Sequence, residues 1–220
     1  MQRLYAVGDI HGSLAKLRSL LAQCERDAAG TSMGFVFVGD YIDRGPDSRG
    51  VIETVMALQA RLPGAVVTLM GNHEALALAA IDNGLNVGGW LLEGGDETLL
   101  SYGVSNVHEL PTKTVAWLRS LRMMYDDGER LFVHAGVNPE KPLDAQDDMD
   151  VLWIREPFLS DGRDYGRLIV HGHTPTRNGK PDLRANRLNL DTGAVYGRAL
   201  TAAVFVAGER RPVAFLQASE

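Results

Sequence analysis

The chain has a single cysteine, Cys24, and no long apolar run. One cysteine excludes an intramolecular disulfide and any zinc or iron–sulfur site built from several thiolates. Glycine, proline or a charged residue interrupts every apolar segment before it reaches the roughly 18 residues that a membrane helix requires. The apolar stretch at the start of the chain is also too short for a signal-peptide core. We therefore expect a soluble, cytoplasmic protein with no membrane partner.

Positive charge is scarce relative to negative charge. The 22 lysines and arginines are outnumbered by 28 aspartates and glutamates, which gives a formal net charge of −6. Nucleic-acid-binding domains usually present a broad cationic face, so no nucleic-acid partner is expected. An anionic substrate would have to be captured locally, by bound cations or by a few well-placed arginines.

The length of 220 residues suits one α/β domain. A chain of this size buries about 70% of the surface of its unfolded state without needing disulfides or a structural metal. No internal repeat, low-complexity segment or linker divides the sequence, so we expect a single domain over residues 1–220. A monomer is the default expectation.

Short apolar runs predict strands that are buried on both faces. They lie at residues 4–7, 35–38, 66–70, 131–133 and 168–170. Helical spacing between the runs predicts helices over residues 13–21, 47–62 and 111–121. This β-α-β alternation indicates a layered α/β architecture.

Other segments break the alternation. The Gly-rich residues 82–110 and the acidic, Pro-containing residues 138–150 are predicted to be loops beside a site. Near the end of the chain, residues 187–193, 199–206 and 213–217 read as strands without helices between them. These three runs predict an antiparallel second sheet.

Five short polar motifs directly follow the first five predicted strands. They are GDIHG at 8–12, GDYIDRG at 39–45, GNHE at 71–74, HAG at 134–136 and HGHT at 171–174. Together they contain five of the six histidines of the chain. Ligand sites of open α/β sheets form beyond the carboxyl ends of strands, so we expect these side chains to converge on one site.

The side chains in the motifs are types that bind metal ions. Asp9 and His11 stand two positions apart at the end of an extended strand, so both project to the same side. The carboxylate of Asp40 has two oxygens and could bridge two cations. Without thiolates, the set suits Mn, Fe, Zn or Mg rather than copper(I) or a cluster. The candidate ligands are Asp9, His11, Asp40, Asn72, His134 and His173.

Each of these residues taken alone also has a structural interpretation. Asn72 could cap a helix that begins near Glu74, and His134 and His173 could be core histidines with satisfied hydrogen bonds. The clustering of so many histidines in strand-end motifs favours a functional site over these separate explanations.

The motifs resemble those of the phosphoprotein phosphatase family of calcineurin-like metallophosphoesterases, in particular its short bacterial and phage members. The resemblance spans residues 8–174 and extends to LWIR at 152–155 and LDTG at 190–193. It implies an α/β fold in which a layered β-sandwich is flanked by helices, in the order α-β-β-α. It also implies two divalent metal ions, with manganese expected first and iron, zinc or magnesium as alternatives.

The resemblance also implies how the ligands are shared between the ions. Asp9 and His11 would bind the first ion, Asp40 would bridge both, and the second ion would be completed by Asn72, His134 and His173. His171 is interpreted as a strand-end or supporting residue and not as a ligand. The wider superfamily often has a histidine where this chain has Pro175, which fits the phosphatase branch and weakens a nuclease interpretation.

The expected chemistry is hydrolysis by direct attack. Two cations about 3.5–4 Å apart would lower the pKa of a bridging water and align its hydroxide for in-line attack on phosphorus, without a phosphoenzyme. His73, next to Asn72, would donate a proton to the leaving group. Asp43 would orient that imidazole and favour its charged form. Arg44 and, on a looser motif match, Arg155 would bind the phosphate oxygens.

These features predict a metal-dependent phosphomonoesterase that acts on phosphoserine and phosphothreonine in proteins, with phosphoproteins as its partners. The enzymatic alternative is a symmetric dinucleoside tetraphosphate hydrolase, which shares the ligands and resembles this chain over residues 190–201. The acid at Asp43, and GNHE together with SYG at 101–103, favour the phosphatase. An inactive protein-binding scaffold is the alternative from another class, but here every expected catalytic position is filled.

Overall fold

Two five-stranded sheets and seven α-helices make up the fold over the residues that the structure describes. The computed structural model describes residues 3–84 and 86–219. The strands are β1 (Arg3–Val7), β2 (Met33–Phe37), β3 (Val66–Thr68), β4 (Met124–Asp126), β5 (Arg130–Val133), β6 (Leu168–His171), β7 (Asp182–Leu183), β8 (Arg187–Asn189), β9 (Leu200–Val206) and β10 (Ala214–Ala218). The helices are α1 (Leu14–Ala28), α2 (Ser48–Arg61), α3 (Asn72–Asn83), α4 (Val87–Trp90), α5 (Asp96–Tyr102), α6 (Thr112–Arg119) and α7 (Asp148–Trp153).

Each sheet combines parallel strands with antiparallel ones. The first sheet has the order β10-β9-β1-β2-β3 and the second has the order β4-β5-β6-β8-β7. In the first sheet β1, β2 and β3 run parallel, and β9 pairs antiparallel with β1. In the second sheet β5, β6 and β8 run parallel. The parallel strands therefore bring their carboxyl ends, and the motifs that follow them, to one edge of each sheet.

The alternation of side chains along the strands builds three apolar layers. In β2, Phe35 and Phe37 join the cluster beneath α1, α2, α3 and α6, whereas Val36 faces the second sheet. Phe132 of β5 meets Phe205 of β9 between the sheets, with ring centroids 6.2 Å apart. On the outer face of the second sheet, Leu131 and Val133 of β5 and Ile169 of β6 pack against α7. The predicted α-β-β-α sandwich is thereby confirmed.

The prediction that the last three apolar runs form a second sheet of their own is wrong. β9 and β10 extend the first sheet, while β8 joins the second sheet parallel to β6. The strand β9 is apolar on both faces and buried along nearly its whole length, which suits a place inside a sheet next to β1. The short strands β4 and β7 were not predicted.

The prediction of a loop over residues 82–110 is also wrong for most of the segment. Residues 87–102 are helical, with α4 and α5 joined by a π-helical turn at Leu91–Gly95. The glycines serve this packing: Gly94 has a φ of 99°, and a Cβ on Gly95 would lie 2.4 Å from the ring of Trp90. Residues 138–150 are mainly irregular as expected, although α7 begins inside them at Asp148.

Candidate metal centre and active site

The six candidate ligands meet at the carboxyl edge of both sheets. GDIHG follows β1, GDYIDRG follows β2, and GNHE follows β3 and opens α3. HAG follows β5, and HGHT begins at the last residue of β6. The residues brought together, all of them buried, are Asp9, His11, Asp40, Asn72, His134 and His173.

Asp40 lies at the centre of this arrangement. Its Oδ2 atom lies 3.4 Å from the Nε2 atom of His11 and 3.4 Å from the Nε2 atom of His134. The possible ligand atoms of His11, Asp40 and His73 lie within 4.8 Å of one another, and so do those of Asp40, His134 and His173. Asp40 belongs to both groups, which is the position that a ligand shared by two ions must occupy.

The protonation of the histidines indicates that a cation fits between these atoms. The carbonyls of Ile42 and Val38 accept hydrogen bonds from Nδ1 of His11 and of His134, at 2.8 Å and 2.9 Å. Burial and nearby positive groups hold the pKa of both imidazoles well below the ordinary value. Their Nε2 atoms are therefore unprotonated, and both lone pairs face the carboxylate of Asp40. Converging acceptors of this kind suit a metal ion.

Asp9 adds an unsatisfied oxygen to the same place. Its Oδ2 atom accepts a hydrogen bond of 2.9 Å from the backbone N–H of His173. Its Oδ1 atom is buried and has no hydrogen-bond partner among the described residues. Burial, followed by the carboxylates of Asp191 and Asp40, raises the pKa of Asp9 well above the ordinary value. Divalent cations would offset this concentration of buried negative charge.

Asn72 and His173 complete the second group. The Oδ1 atom of Asn72 lies 2.9 Å from Nε2 of His134 and 2.9 Å from Nδ1 of His173. Carboxylate, amide and imidazole donors without a thiolate are the set that manganese, iron, zinc or magnesium accepts. The residues present therefore fit two divalent ions, while the role of each residue as a ligand stays a prediction.

His73, a member of the first group, forms a buried pair with Asp43. The Nδ1 atom of His73 lies 2.8 Å from Oδ2 of Asp43, and neither side chain is more than 1% exposed. Burial lowers the pKa of His73, but the carboxylates of Asp40 and Asp43 outweigh it and raise the pKa above the ordinary value. The pair thus favours a protonated imidazole, the state from which a general acid acts.

Two residues that the sequence did not single out for a role hold Asp43 in place. Trp90 donates its indole N–H to Oδ2 of Asp43 at 2.9 Å, and Thr98 donates its hydroxyl to Oδ1 at 2.7 Å. Both belong to the segment that was predicted to be a loop. The buried indole N–H of a tryptophan needs a partner, which was the available signal, but its partner lies 47 residues earlier in the chain.

Glu74 caps the start of α3 and also fixes the loop that carries Asp40. Its carboxylate accepts hydrogen bonds from the backbone N–H groups of Asp40 and Gly71 at 2.9 Å each, and from Tyr41 at 2.8 Å. Burial raises the pKa of Glu74 to about 8, although the hydrogen bonds from Tyr41 and Ile42 favour the charged form. Glu74 therefore acts through the backbone geometry of its neighbours.

The backbone of the site is unusual. Six non-glycine residues among those described have a positive φ, and five of them are predicted site residues. Left-handed backbone is uncommon outside glycine and clusters at functional sites, where the surrounding structure maintains it. The five residues are His11, Asp40, Asp43, Arg44 and His173.

Both predicted arginines line a cavity of about 590 Å³, and Asn72, His73 and His173 line the same cavity. Arg44 donates from Nη1 to Nε2 of His11 at 3.2 Å and from Nη2 to Oε2 of Glu93 at 2.9 Å. Arg155 follows α7, is exposed, and forms no ion pair with any residue in the described ranges. The cavity therefore offers two guanidinium groups beside the candidate metal ligands.

His171 and Asp191 lie beneath the site. The ring of His171 is fully buried, packs edge-on against Phe158 at 5.0 Å, and belongs to neither candidate metal group. Burial lowers its pKa to about 3. Asp191, in the LDTG motif, is a buried neighbour of Asp9 that sequence reasoning gave no role, and burial raises its pKa to about 7.

Comparison with known proteins gives a consistent family. The model of a family described as calcineurin-like phosphoesterase matches residues 2–202. A relative from Salmonella typhimurium (strain LT2), named serine/threonine-protein phosphatase 1, is 31% identical over 214 residues, which cover 92% of this chain and 91% of the relative.

Other similar proteins carry a different activity in their names. A symmetrical bis(5'-nucleosyl)-tetraphosphatase from Dechloromonas aromatica (strain RCB) is 31% identical over 138 residues, which cover 62% of this chain and 44% of the relative. A solved structure described as a candidate diadenosine tetraphosphatase is 25% identical, with a TM-score of 0.70, and covers 99% of this chain and 93% of its own.

Proposed function

Because the chain belongs to the calcineurin-like phosphoesterase family, we propose that it is a metal-dependent serine/threonine protein phosphatase. The observation that carries the proposal is the similarity to serine/threonine-protein phosphatase 1, which extends over 92% of this chain and 91% of that protein. The similarity to the symmetrical tetraphosphatase covers 62% of this chain and 44% of that protein. Phosphoproteins are accordingly the proposed substrates.

Two divalent ions, manganese in our proposal, would be held by the six candidate ligands, with Asp40 shared between them. When bound, they would activate water for attack and polarise the phosphoryl group. The protein's own contribution begins with orientation. His11 and His134 are fixed through Nδ1 by backbone carbonyls, so their Nε2 atoms keep one direction.

The phosphoryl group would be held by Arg44 and Arg155 in the cavity that contains His73. Two guanidinium groups suit the oxygens of a phosphate and the charge that develops on them during the reaction. His73 would donate the proton on Nε2 to the serine or threonine oxygen as it leaves. The carboxylate of Asp43, bound to Nδ1, would stabilise the imidazolium before the transfer.

A second candidate function is hydrolysis of symmetric dinucleoside tetraphosphates. It is favoured by the similarity to the Dechloromonas aromatica tetraphosphatase and by the solved structure at a TM-score of 0.70. The same ligands and the same acid would serve this reaction. The two activities differ in the group that must fit next to the reacting phosphate, which is a protein segment in one case and a nucleotide with further phosphates in the other.

The decisive experiment compares kcat/KM for a phosphoserine peptide and for diadenosine tetraphosphate, using the manganese-loaded protein. We expect the phosphopeptide to be the better substrate, and a large preference for the dinucleotide would overturn the proposal. Hydrolysis of p-nitrophenyl phosphate with added manganese tests the scaffold alternative, which predicts no activity with any divalent metal. An Asp40→Asn variant, which alters the candidate ligand common to both metal groups, is prepared in parallel and reports contaminating phosphatases.

A further inference from the structure

Glu93 stands at the mouth of the catalytic cavity, in the turn between α4 and α5. Its Oε2 atom accepts the hydrogen bond of 2.9 Å from Nη2 of Arg44. We propose that Glu93 is a specificity-determining residue: it competes with substrate phosphate for Arg44 and disfavours substrates that carry further negative charge near the reacting phosphate. This inference rests on the proposed function, because it concerns the substrate class of the same site.

The position of Glu93 is fixed by contacts between the next residue, Gly94, and the backbone of Arg44. The N–H of Arg44 donates to the carbonyl of Gly94 at 3.1 Å. A Cβ on Gly94 would lie 2.5 Å from the backbone nitrogen of Arg44, and the φ of Gly94 is 99°. The turn therefore lies directly against Arg44. The side chain of Glu93 is 54% exposed, so its carboxylate faces solvent rather than the core.

The charges around the mouth nearly cancel. Arg44 and Arg155 supply two positive charges, and Glu93 and Glu156 line the same cavity with two negative charges. Glu156 accepts hydrogen bonds only from Ser160 among the described residues, so its charge is not neutralised by a cation. Asp150, the third carboxylate at the mouth, shares the ammonium group of Lys141 with Asp147.

This balance separates the possible substrates by charge. A phosphate monoester brings one dianionic group, which the metal ligands and the arginines can accept once Arg44 is shared or released by Glu93. Each additional phosphate, or an acidic side chain beside the phosphoserine, would approach Glu93 and Glu156 without a spare cation. Lysine or arginine beside the phosphoserine would be attracted to the same carboxylates. Monoesters in a basic peptide context are therefore the favoured class.

The test uses Glu93→Gln, which keeps the size of the side chain and removes its charge. The first readout is the affinity for inorganic phosphate, measured as Ki against p-nitrophenyl phosphate and by calorimetry with the manganese-loaded protein. The second is the ratio of kcat/KM for two phosphoserine peptides that differ only in a neighbouring lysine or glutamate. Glu97→Gln is the matched control, since it removes one charge from the same segment outside the cavity.

For Glu93→Gln we expect phosphate affinity to rise by a factor of about 1.5 to 5 and the lysine-to-glutamate ratio to fall by a similar factor, as for partly exposed charge pairs. The kcat should change less than KM, because the competition occurs on binding. High salt should reduce the difference between the wild type and the variant. Glu93→Asp should retain the preference for the basic peptide, because it retains the charge.

Weaker phosphate binding by Glu93→Gln would overturn the inference, since Glu93 would then prepare Arg44 for substrate instead of competing for it. An equal effect of Glu97→Gln, or an unchanged peptide ratio, would also overturn it. Failure of the proposed function looks different: the wild type would hydrolyse neither peptide, or would prefer the dinucleotide. Phosphate affinity would then still report whether Glu93 competes for Arg44.

Discussion

Asp43 accepts hydrogen bonds from His73, Trp90 and Thr98, and all of its partners are buried. A carboxylate with three donors is held in one orientation and transmits that orientation to the imidazole. The position of His73 is therefore determined by Asp43, which follows β2, and by two residues of the segment from α4 to α5. Because the Nε2 atom of His73 could serve either proton donation or metal binding, metal analysis of a His73 variant is what separates the two roles.

Replacing His73 with asparagine should retain both metal ions and lose turnover. We expect kcat for a phosphoserine peptide to fall by about 10² to 10⁴, the usual contribution of general acid–base catalysis. The loss should be smaller for p-nitrophenyl phosphate, because its leaving group needs little protonation. Kinetics with both substrates and metal analysis of the purified variant provide the measurement. Loss of metal in place of turnover would show that His73 is a ligand.

Gly172 is required for close packing against Asp9. A Cβ at residue 172 would lie 1.8 Å from Oδ1 of Asp9, the oxygen that has no protein partner in the described ranges. Gly172→Ala should displace that carboxylate and weaken manganese binding, with an overpacking penalty of about 1–3 kcal/mol. Manganese titration measures the effect. Gly162→Ala is the control, because a Cβ there meets no atom within 4 Å, and equal affinities of both variants would refute the prediction.

At the scale of elements, the segment from α4 to α5 acts as a wall of the site. It supplies Trp90 and Thr98 to Asp43 and places Glu93 on Arg44. Its glycines made it look irregular in the sequence, since glycine is unfavourable in helices. In the structure, Gly94 allows the turn to pass close to Arg44, and Gly95 allows the ring of Trp90 to pack against the backbone.

Thr98→Val should impair both stability and catalysis. The substitution keeps the shape but removes the hydroxyl that donates to Asp43 at 2.7 Å. Leaving a buried polar group unsatisfied costs about 1–3 kcal/mol, and a less restrained Asp43 should lower kcat. Urea denaturation and kcat measure the two effects. Thr114→Val, which removes a buried hydroxyl bonded to Tyr102, should lower stability alone. Unchanged kcat in Thr98→Val would mean that Thr98 only supports the fold.

The sequence predicted elements better than their partners. Apolar runs located β1, β2, β3, β5, β6, β8, β9 and β10, because short apolar runs bounded by glycine or charged residues are typical of strands. Burial on both faces accounts for the composition of most of them, whereas β10 is largely exposed. The assignment of the last strands to a separate sheet failed, since pairing depends on contacts between distant segments. The motifs likewise located the candidate ligands, whereas Trp90 and Glu93 gave no local signal of their contacts with residues almost 50 positions earlier.

At the scale of the molecule, the candidate metal centre lies between the two sheets. Asp9, His11, Asp40 and Asn72 follow strands of the first sheet, and His134 and His173 follow strands of the second. The layered order could be predicted from the family resemblance. The seam between the sheets could not, because the alternation of side chains does not specify which two faces meet.

Removal of metal should therefore destabilise the whole fold and not only stop turnover. A ligand at 100 times its Kd stabilises the folded state by about 2.7 kcal/mol, so metal-loaded protein should unfold at a clearly higher temperature than protein treated with a chelator. Calorimetric Tm values before and after chelation give the measurement, and readdition of manganese should restore the original Tm. Identical Tm values for metal-loaded and chelator-treated protein would show that the ions do not stabilise the contact between the two sheets.

The left-handed backbone at His11, Asp40, Asp43, Arg44 and His173 sets stability against chemistry. Glycine adopts this conformation without steric penalty, so glycine at Arg44 would relax the chain while deleting the guanidinium group. Selection for thermal stability alone would then replace the site residues with glycine. Selection for turnover would retain them together with their strained left-handed backbone. The most thermostable variants of this protein would therefore be ones that had lost its catalytic residues.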